Sequence, residues 1–288
     1  MDVGDVSASA PTSSRPAGAA TAILPAVMAR VRLDALLAAR GLFESRSRAA
    51  AAVLAGEVFV GPSRLRIDKP GHQVPDDVEV DVAAPPPFVS RGGIKLANAL
   101  DALGIDVGGR RCLDVGASTG GFTDCLLQRG AARVVALDVA YGELHHRLRE
   151  DERVTVLERI NARRLACDEL PYRPDLVVAD VSFISLTKVL PAVLACAADR
   201  FDCLAMVKPQ FEVGKGQVGK GGVVREPAMR EEAVLDVARV AQAEGYVVAG
   251  VVSSGLPGPS GNREVFLWLA EPGRDPVADL ARAVGEAV

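Results

Sequence analysis

From residue 88 to residue 270 short apolar runs alternate with stretches of helical period. The runs predict strands at 110–115, 133–139, 154–159, 175–180, 203–208, 246–252 and 264–269. Between them, apolar residues recurring every three or four positions predict helices at 93–103, 121–129, 142–150, 185–197 and 227–244. Apolar strands separated by amphipathic helices imply a mostly parallel sheet covered on both faces, an α/β, doubly wound architecture of about seven strands. The stretch 212–226 has neither period and is rich in glycine and lysine, as a loop beside an active site would be.

A different pattern precedes this. Leu33, Leu36 and Leu37 form one helical face, and Ser45 is a good N-cap for a second helix that Gly56 would stop. Glu57-Val-Phe-Val and Asp77-Val-Glu-Val-Asp-Val alternate as strands do. Residues 30–83 therefore read as a small α+β recognition domain, and residues 1–29, rich in Ala, Ser and Pro, as a disordered tail. Met28-Ala-Arg is a plausible alternative start. The proline-rich linker 84–89 would be stiff and extended. The catalytic domain is expected at 90–271 and a C-terminal tail at 272–288.

Composition narrows the classes. The chain has 288 residues, 49% of them hydrophobic, and a net charge of −4, so any basic patch must be local. No stretch approaches the roughly 18 apolar residues of a membrane span, and Asp2 and Asp5 do not suit the positive start of a secretory signal. The five cysteines form no Cys-x-x-Cys pair and the three histidines no ligand pattern. The expectation is reduced, buried thiols in a cytoplasmic protein without a metal.

The candidate chemistry lies in four islands around Lys95, Asp180, Lys208 and Glu264. The last three sit where predicted strands start or end. A lysine beside a second cation and near carboxylates can orient or deprotonate a hydroxyl. Between the islands, the strand ending at Val115 runs into a glycine turn made of Gly116, Ala117, Ser118, Thr119, Gly120, Gly121 and Phe122. Ser118 stands where a dinucleotide site needs its second glycine, and no Lys-Ser/Thr follows as in a phosphate loop. Asp138 ends the next strand, 22 residues after Gly116, where a carboxylate suits ribose hydroxyls. Asp114 could pair with a cationic amino group, and Asn161 and Asp180 complete the candidate cofactor residues. A ligand with ribose hydroxyls, an amino acid part and no phosphate is S-adenosylmethionine. Downstream, Gly214-Lys-Gly-Gln-Val-Gly-Lys-Gly nearly spells a Walker A loop, but Gly221 replaces its Ser/Thr.

With these residues in view, the chain resembles the TlyA-type, or hemolysin A-like, ribosomal RNA 2'-O-methyltransferases. The resemblance rests on Ser90-Arg-Gly-Gly-Ile-Lys-Leu, Leu113-Asp-Val-Gly-Ala-Ser-Thr-Gly-Gly-Phe-Thr-Asp, Ala179-Asp-Val-Ser-Phe-Ile-Ser-Leu, Val207-Lys-Pro-Gln-Phe-Glu-Val-Gly and Gly261-Asn-Arg-Glu-Val-Phe, and covers residues 30–270. It implies a Rossmann-like catalytic domain of the FtsJ type, and an N-terminal RNA-binding domain of the kind named for ribosomal protein S-four. It also implies a catalytic tetrad at Lys95, Asp180, Lys208 and Glu264. The described substrates of the family are cytidines in the RNA of one or both ribosomal subunits, and in mycobacteria its activity sensitises cells to capreomycin. The linker departs from the family pattern, with Pro85-Pro-Pro-Phe-Val where an Arg-Ala-Trp-Val sequence is common.

Between residues 30 and 66 seven arginines face three carboxylates, a local excess of four positive charges. Arg32, Arg46, Arg48, Arg64 and Lys69, with Arg91, Lys215 and Lys220 further on, are the candidate RNA contacts. The expected partners are ribosomal RNA and ribosomal subunits, bound by a chain more in keeping with a monomer. Rival readings are a membrane-active hemolysin, a non-catalytic ribosome-assembly factor, and a nucleotide hydrolase acting at the Gly214 loop.

Overall fold

A computed structural model of the chain describes residues 29–83, 86–214, 216, 218, 219 and 221–288. The expected N-terminal tail, Ala29 apart, lies outside the described residues, as do Lys215 and Lys220. The chain divides into two units, one reaching Pro85 and the other beginning at Pro86.

The first unit contains β1 (Arg30–Arg32), α1 (Leu33–Ala39), α2 (Arg46–Ala55), β2 (Val58–Val60), β3 (Leu65–Arg66), β4 (Gln73–Pro75) and β5 (Val80–Val82). β1 pairs with β4, and β2 lies between β3 and β5, all antiparallel. The backbone N–H of Arg48 donates to Ser45 Oγ at 3.2 Å, so Ser45 caps α2. Gly56 closes α2 with a φ of +75°, a left-handed conformation that glycine adopts without a Cβ penalty. Leu33, Leu37, Val53 and Val58 are fully buried between helices and strands.

The second unit contains α3 (Arg91–Leu103), β6 (Arg111–Val115), α4 (Gly121–Gln128), β7 (Arg133–Asp138), α5 (His146–Arg149), β8 (Val154–Glu158), β9 (Leu176–Ala179), α6 (Leu190–Ala195), β10 (Asp202–Val207), α7 (Pro209–Glu212), α8 (Pro227–Ala243), β11 (Val247–Ser253), β12 (Val265–Ala270) and α9 (Leu280–Ala287). Its seven strands run in the order β11-β12-β10-β9-β6-β7-β8. The pairings among β10, β9, β6, β7 and β8 are parallel, and β12 is antiparallel to both neighbours. Side chains alternate between the faces, as a strand requires. On β6, Leu113 and Val115 pack with α6, α8 and α9, whereas Cys112 packs with α3 and α4. The strand order reverses between β6 and β9, and ligands of such sheets bind beyond the carboxyl ends of the strands at that point.

Several expectations are corrected here. Helix 142–150 shrinks to α5, and 185–197 becomes a 3-10 turn at Leu186–Lys188 followed by α6, which has Pro191 in its first turn. The segment expected as a C-terminal tail holds α9, whose Val284 is fully buried in the core. Pro86–Val89 are tied to the second unit: the amide of Gln128 donates to Pro87 O at 2.9 Å, and Val89 N–H to Asp124 Oδ2 at 2.8 Å. The cysteines are not all reduced. Cys167, exposed, is bonded to Cys196, buried at the end of α6, across a Cα–Cα distance of 4.9 Å. A separation of 29 residues gave no local spacing from which to read that pair.

Candidate active site

The turn after β6 is built for close approach. Gly116 has a φ of +86°, and a Cβ there would lie 2.5 Å from the carbonyl oxygen of Asp180. Only glycine lets the two chain segments pass at this distance. Gly116 N–H donates to Leu137 O at 2.8 Å and Asp180 N–H to Val115 O at 2.9 Å, so β7, β6 and β9 are locked together at the switch point. Ser118 also adopts a left-handed φ, +47°, while its N–H donates to Asp138 Oδ2 at 2.8 Å. Ala140 N–H occupies the other oxygen of Asp138 at 2.8 Å.

Two adjoining recesses meet at this turn. One, of about 490 Å³, is lined by Gly116, Ser118, Asp138, Glu143, Asn161, Asp180 and Ser182, with Leu137, Ile160, Val181, Ile184 and Val189 as its apolar wall. Three carboxylates and no basic residue line it, among the described residues. That chemistry suits hydroxyl groups, a cationic group and an apolar ring, and it disfavours phosphates. It fits S-adenosylmethionine. Asp114 lies beneath the turn, fully buried, with Oδ2 accepting from Thr123 Oγ1 at 2.7 Å and Oδ1 without a partner. Burial pushes its carboxyl up to about 7, and Asp180 pushes the same way, against the hydrogen bond from Thr123. It is not among the residues that line either recess.

The second recess, of about 450 Å³, brings the four candidate catalytic residues together with Arg91, Ala117, Thr119, Gly121 and Phe122. The fold explains the convergence. Asp180 and Lys208 follow the carboxyl ends of β9 and β10, and Glu264 precedes β12. Because β12 is antiparallel to β10, with Val207 opposite Val265, Glu264 begins its strand at the sheet edge where Lys208 ends its own. Lys95 reaches in from α3. The residues form two ion pairs, Lys95 with Glu264 and Lys208 with Asp180. The first is deeply buried, with 8% and 1% of the two side chains exposed. Lys208 Nζ also donates to Ser182 Oγ at 2.9 Å.

A third recess, of about 420 Å³, opens beside Lys208 and Glu264. Phe183 and Phe211 line it with ring centroids 5.2 Å apart. Phe183 is 92% exposed and holds a φ of +63°, an unusual combination for a large apolar residue. Asn262 is buried at its edge, accepting from Val224 N–H and donating to Gly222 O at 2.9 and 2.8 Å, which ties the glycine-rich loop to the start of β12. Sequence reasoning left Ser182, Phe183 and Phe211 out of the candidate site residues; the signal available was an apolar Phe next to polar residues just beyond a strand.

The candidate RNA contacts divide into two groups. Arg32 and Arg46 both pair with the buried Asp34 at 2.8 and 3.2 Å, and Arg32's hydrogen bonds hold that carboxyl below the usual range despite burial. Two guanidinium groups on one carboxylate still leave a positive charge. Arg64 pairs with Asp81 and lies 4.9 Å over the Phe59 ring. Arg48 and Lys69 are exposed and form no ion pair among the described residues. Arg91 donates to Pro257 O at 3.1 Å.

Comparison with known proteins adds the following. Residues 88–271 match the FtsJ-like methyltransferase family. The chain is 55% identical over 242 residues to the 16S/23S rRNA (cytidine-2'-O)-methyltransferase TlyA of Mycobacterium tuberculosis, covering 83% of this chain and 90% of the relative. It is 41% identical over 190 residues to hemolysin A of Brachyspira hyodysenteriae, covering 65% and 77%. A solved structure of a hemolysin candidate from Streptococcus thermophilus superposes with a TM-score of 0.68 at 37% identity, covering 90% of this chain and 96% of that one.

Proposed function

Because the chain belongs to the FtsJ-like methyltransferase family, and within it to the group that includes TlyA and hemolysin A, we propose that it transfers a methyl group from S-adenosylmethionine to the ribose 2'-hydroxyl of a cytidine in ribosomal RNA. The observation that carries the reading is the convergence of two lysine–carboxylate pairs on one cleft, beside a recess lined by three carboxylates and, among the described residues, no basic one. The cytidine and the ribosomal RNA come from the named activity of the mycobacterial relative.

S-adenosylmethionine, when bound, supplies a methyl group on a positively charged sulfur. Everything else falls to the side chains. In the proposed arrangement Asp138 and Asn161 hold the ribose hydroxyls of the cofactor, and the Ile160–Ile184 side takes its ring. A ribose 2'-hydroxyl is a poor nucleophile until its proton is shared or removed. Lys208 is assigned that role here, because its ion pair with Asp180 and its hydrogen bond to Ser182 hold it where the second and third recesses meet. Lys95, held by Glu264, sets the far wall and places a second positive charge in the cleft. Phe183 and Phe211 offer an aromatic face on which the target base, turned out of its stack, would rest. In-line transfer depends on positioning, and rigid pairs on four separate elements provide it.

Arg32, Arg46, Arg48, Arg64 and Lys69 would grip RNA phosphates from the small unit. Arg91 would do so at the cleft. The test is transfer of tritiated methyl groups to purified small and large ribosomal subunits by the wild type and by Lys208→Ala. The expected result is label on at least one subunit, lost in the variant. Equal labelling by both proteins would sink the assignment of Lys208, and no label with either protein would sink the substrate.

A further inference from the structure

We propose that Glu212 is a positioning residue for methyl transfer, acting through the Ser182–Leu186 turn on Lys208; the inference rests on the methyltransferase reading above. An ammonium group has three N–H bonds to place. Ser182 Oγ accepts one of those of Lys208, and Asp180 forms an ion pair with the same ammonium. The orientation of the ammonium in the cleft therefore depends on where Ser182 stands.

Ser182 does not stand on a regular element. It follows β9 in a turn that carries Phe183 at a φ of +63°. A left-handed conformation at a bulky residue costs on the order of 1 kcal/mol and persists only when its surroundings hold it. Glu212 supplies the hold. Its Oε1 accepts from the backbone N–H of Leu186 at 2.9 Å, and its Oε2 from the hydroxyl of Ser185 at 2.5 Å. Ser185 Oγ in turn accepts from Thr187 N–H at 3.1 Å and lies 2.6 Å from Thr187 Oγ1. Both groups facing Glu212 are donors, so a carboxylate with two free oxygens is matched to them.

The chain connectivity makes this a closed ring. Lys208 and Glu212 are the two ends of one five-residue segment, Lys208 preceding α7 and Glu212 ending it. From Lys208 the ring passes through its hydrogen bond to Ser182, along the turn to Leu186, across to Glu212 and back through α7. Loss of the Glu212 link opens the ring at the point opposite the catalytic amine. Glu212 is largely withdrawn from water, and that burial raises its carboxyl above the usual range, so its two hydrogen bonds are made where solvent competes little.

Two variants test the proposal. Glu212→Ala removes both links. Glu212→Gln can keep both, with its oxygen on Leu186 N–H, its amide donating to Ser185 Oγ and the Ser185 hydroxyl turned to Thr187 Oγ1. On ribosomal subunits, Glu212→Ala should lose about a hundredfold in kcat, the effect of a misplaced catalytic group. The KM values for RNA and cofactor should stay within about threefold, the mark of an interaction made only in the transition state. Glu212→Gln should restore kcat to within about threefold of wild type. A folded Glu212→Ala with wild-type kcat overturns the proposal, as does an equal loss in both variants. Hydrogen exchange reads the clamp without any substrate, so it keeps this failure separate from failure of the methyltransferase reading. Amides 182–187 should exchange faster in Glu212→Ala and at the wild-type rate in Glu212→Gln. Equal protection in all three proteins overturns the clamp whatever the methyl assay shows.

Discussion

Removing one member of the Lys95–Glu264 pair should unfold the catalytic unit far more easily than removing both. The two side chains are 8% and 1% exposed, with Leu96, Phe122 and Phe266 packed in the same layer. In Lys95→Met the Glu264 carboxylate is left without its cation, and in Glu264→Leu the Lys95 ammonium is left without its anion. Stranding a buried charge in this way costs about 3–5 kcal/mol. The whole stability of a domain is about 5–15 kcal/mol, so each single variant should lose roughly 10 °C in Tm. The double variant, Lys95→Met with Glu264→Leu, strands nothing and should recover to within about 1–2 kcal/mol of the wild type. Urea unfolding of the four proteins gives the coupling, and methyl transfer in the same preparations gives the chemistry. The double variant should be stable and yet inactive, because the pair positions charge in the cleft rather than merely filling the core. Single variants that lose less than about 1 kcal/mol would refute the assignment of a buried, mutually dependent pair. A double variant that still transfers methyl groups would refute its part in the reaction.

Three further outcomes follow from the same structure. Asp114, with its carboxyl near 7 when folded and near 4 when unfolded, keeps a proton that the unfolded chain has lost. Stability should therefore fall as pH rises from about 4 to about 7, by up to about 4 kcal/mol, and Asp114→Asn should flatten that slope in urea titrations run at several pH values; an unchanged slope would contradict the burial argument. The Cys167–Cys196 bond closes a loop of 29 residues, so the oxidised chain should resist urea by about 3–4 kcal/mol more than the reduced one; coincident unfolding curves would show the bond to be absent or idle. Gly116→Ala should cost about 1–3 kcal/mol and weaken cofactor binding in calorimetry, since its Cβ would meet Asp180 O in a left-handed turn; wild-type affinity would show that the turn can shift.

Much of this site could be read from the chain because its parts lie at strand ends. Apolar runs such as Leu176–Ala179 and Asp202–Val207 are buried on both faces, so their boundaries stand out, and Asp180 and Lys208 follow them directly. How the four charges pair was not readable. It depends on β12 entering the sheet antiparallel between β10 and β11, which no local pattern states. The same holds for the arginines, where Asp34 pairs with two of the candidate RNA contacts, Arg32 and Arg46. Strands of two or three residues such as β1, β3 and β4 are too short to show a period, so they went unseen. Glu212 was hidden for another reason: its partners, Ser185 and Leu186, are 26 or more residues away, and the hydrogen bonds are tertiary.

The most direct test of the central claim is the position of the transferred methyl group. A methylated 2'-oxygen can no longer attack the neighbouring phosphodiester, so that bond resists alkali. RNA labelled by the wild-type protein from tritiated S-adenosylmethionine would be hydrolysed with alkali and its products separated by size and mass. The account predicts that the label resides in an alkali-stable dinucleotide whose first residue is 2'-O-methylcytidine, and that Lys208→Ala gives none. Label released in single nucleotides would place the methyl group on a base and contradict the account.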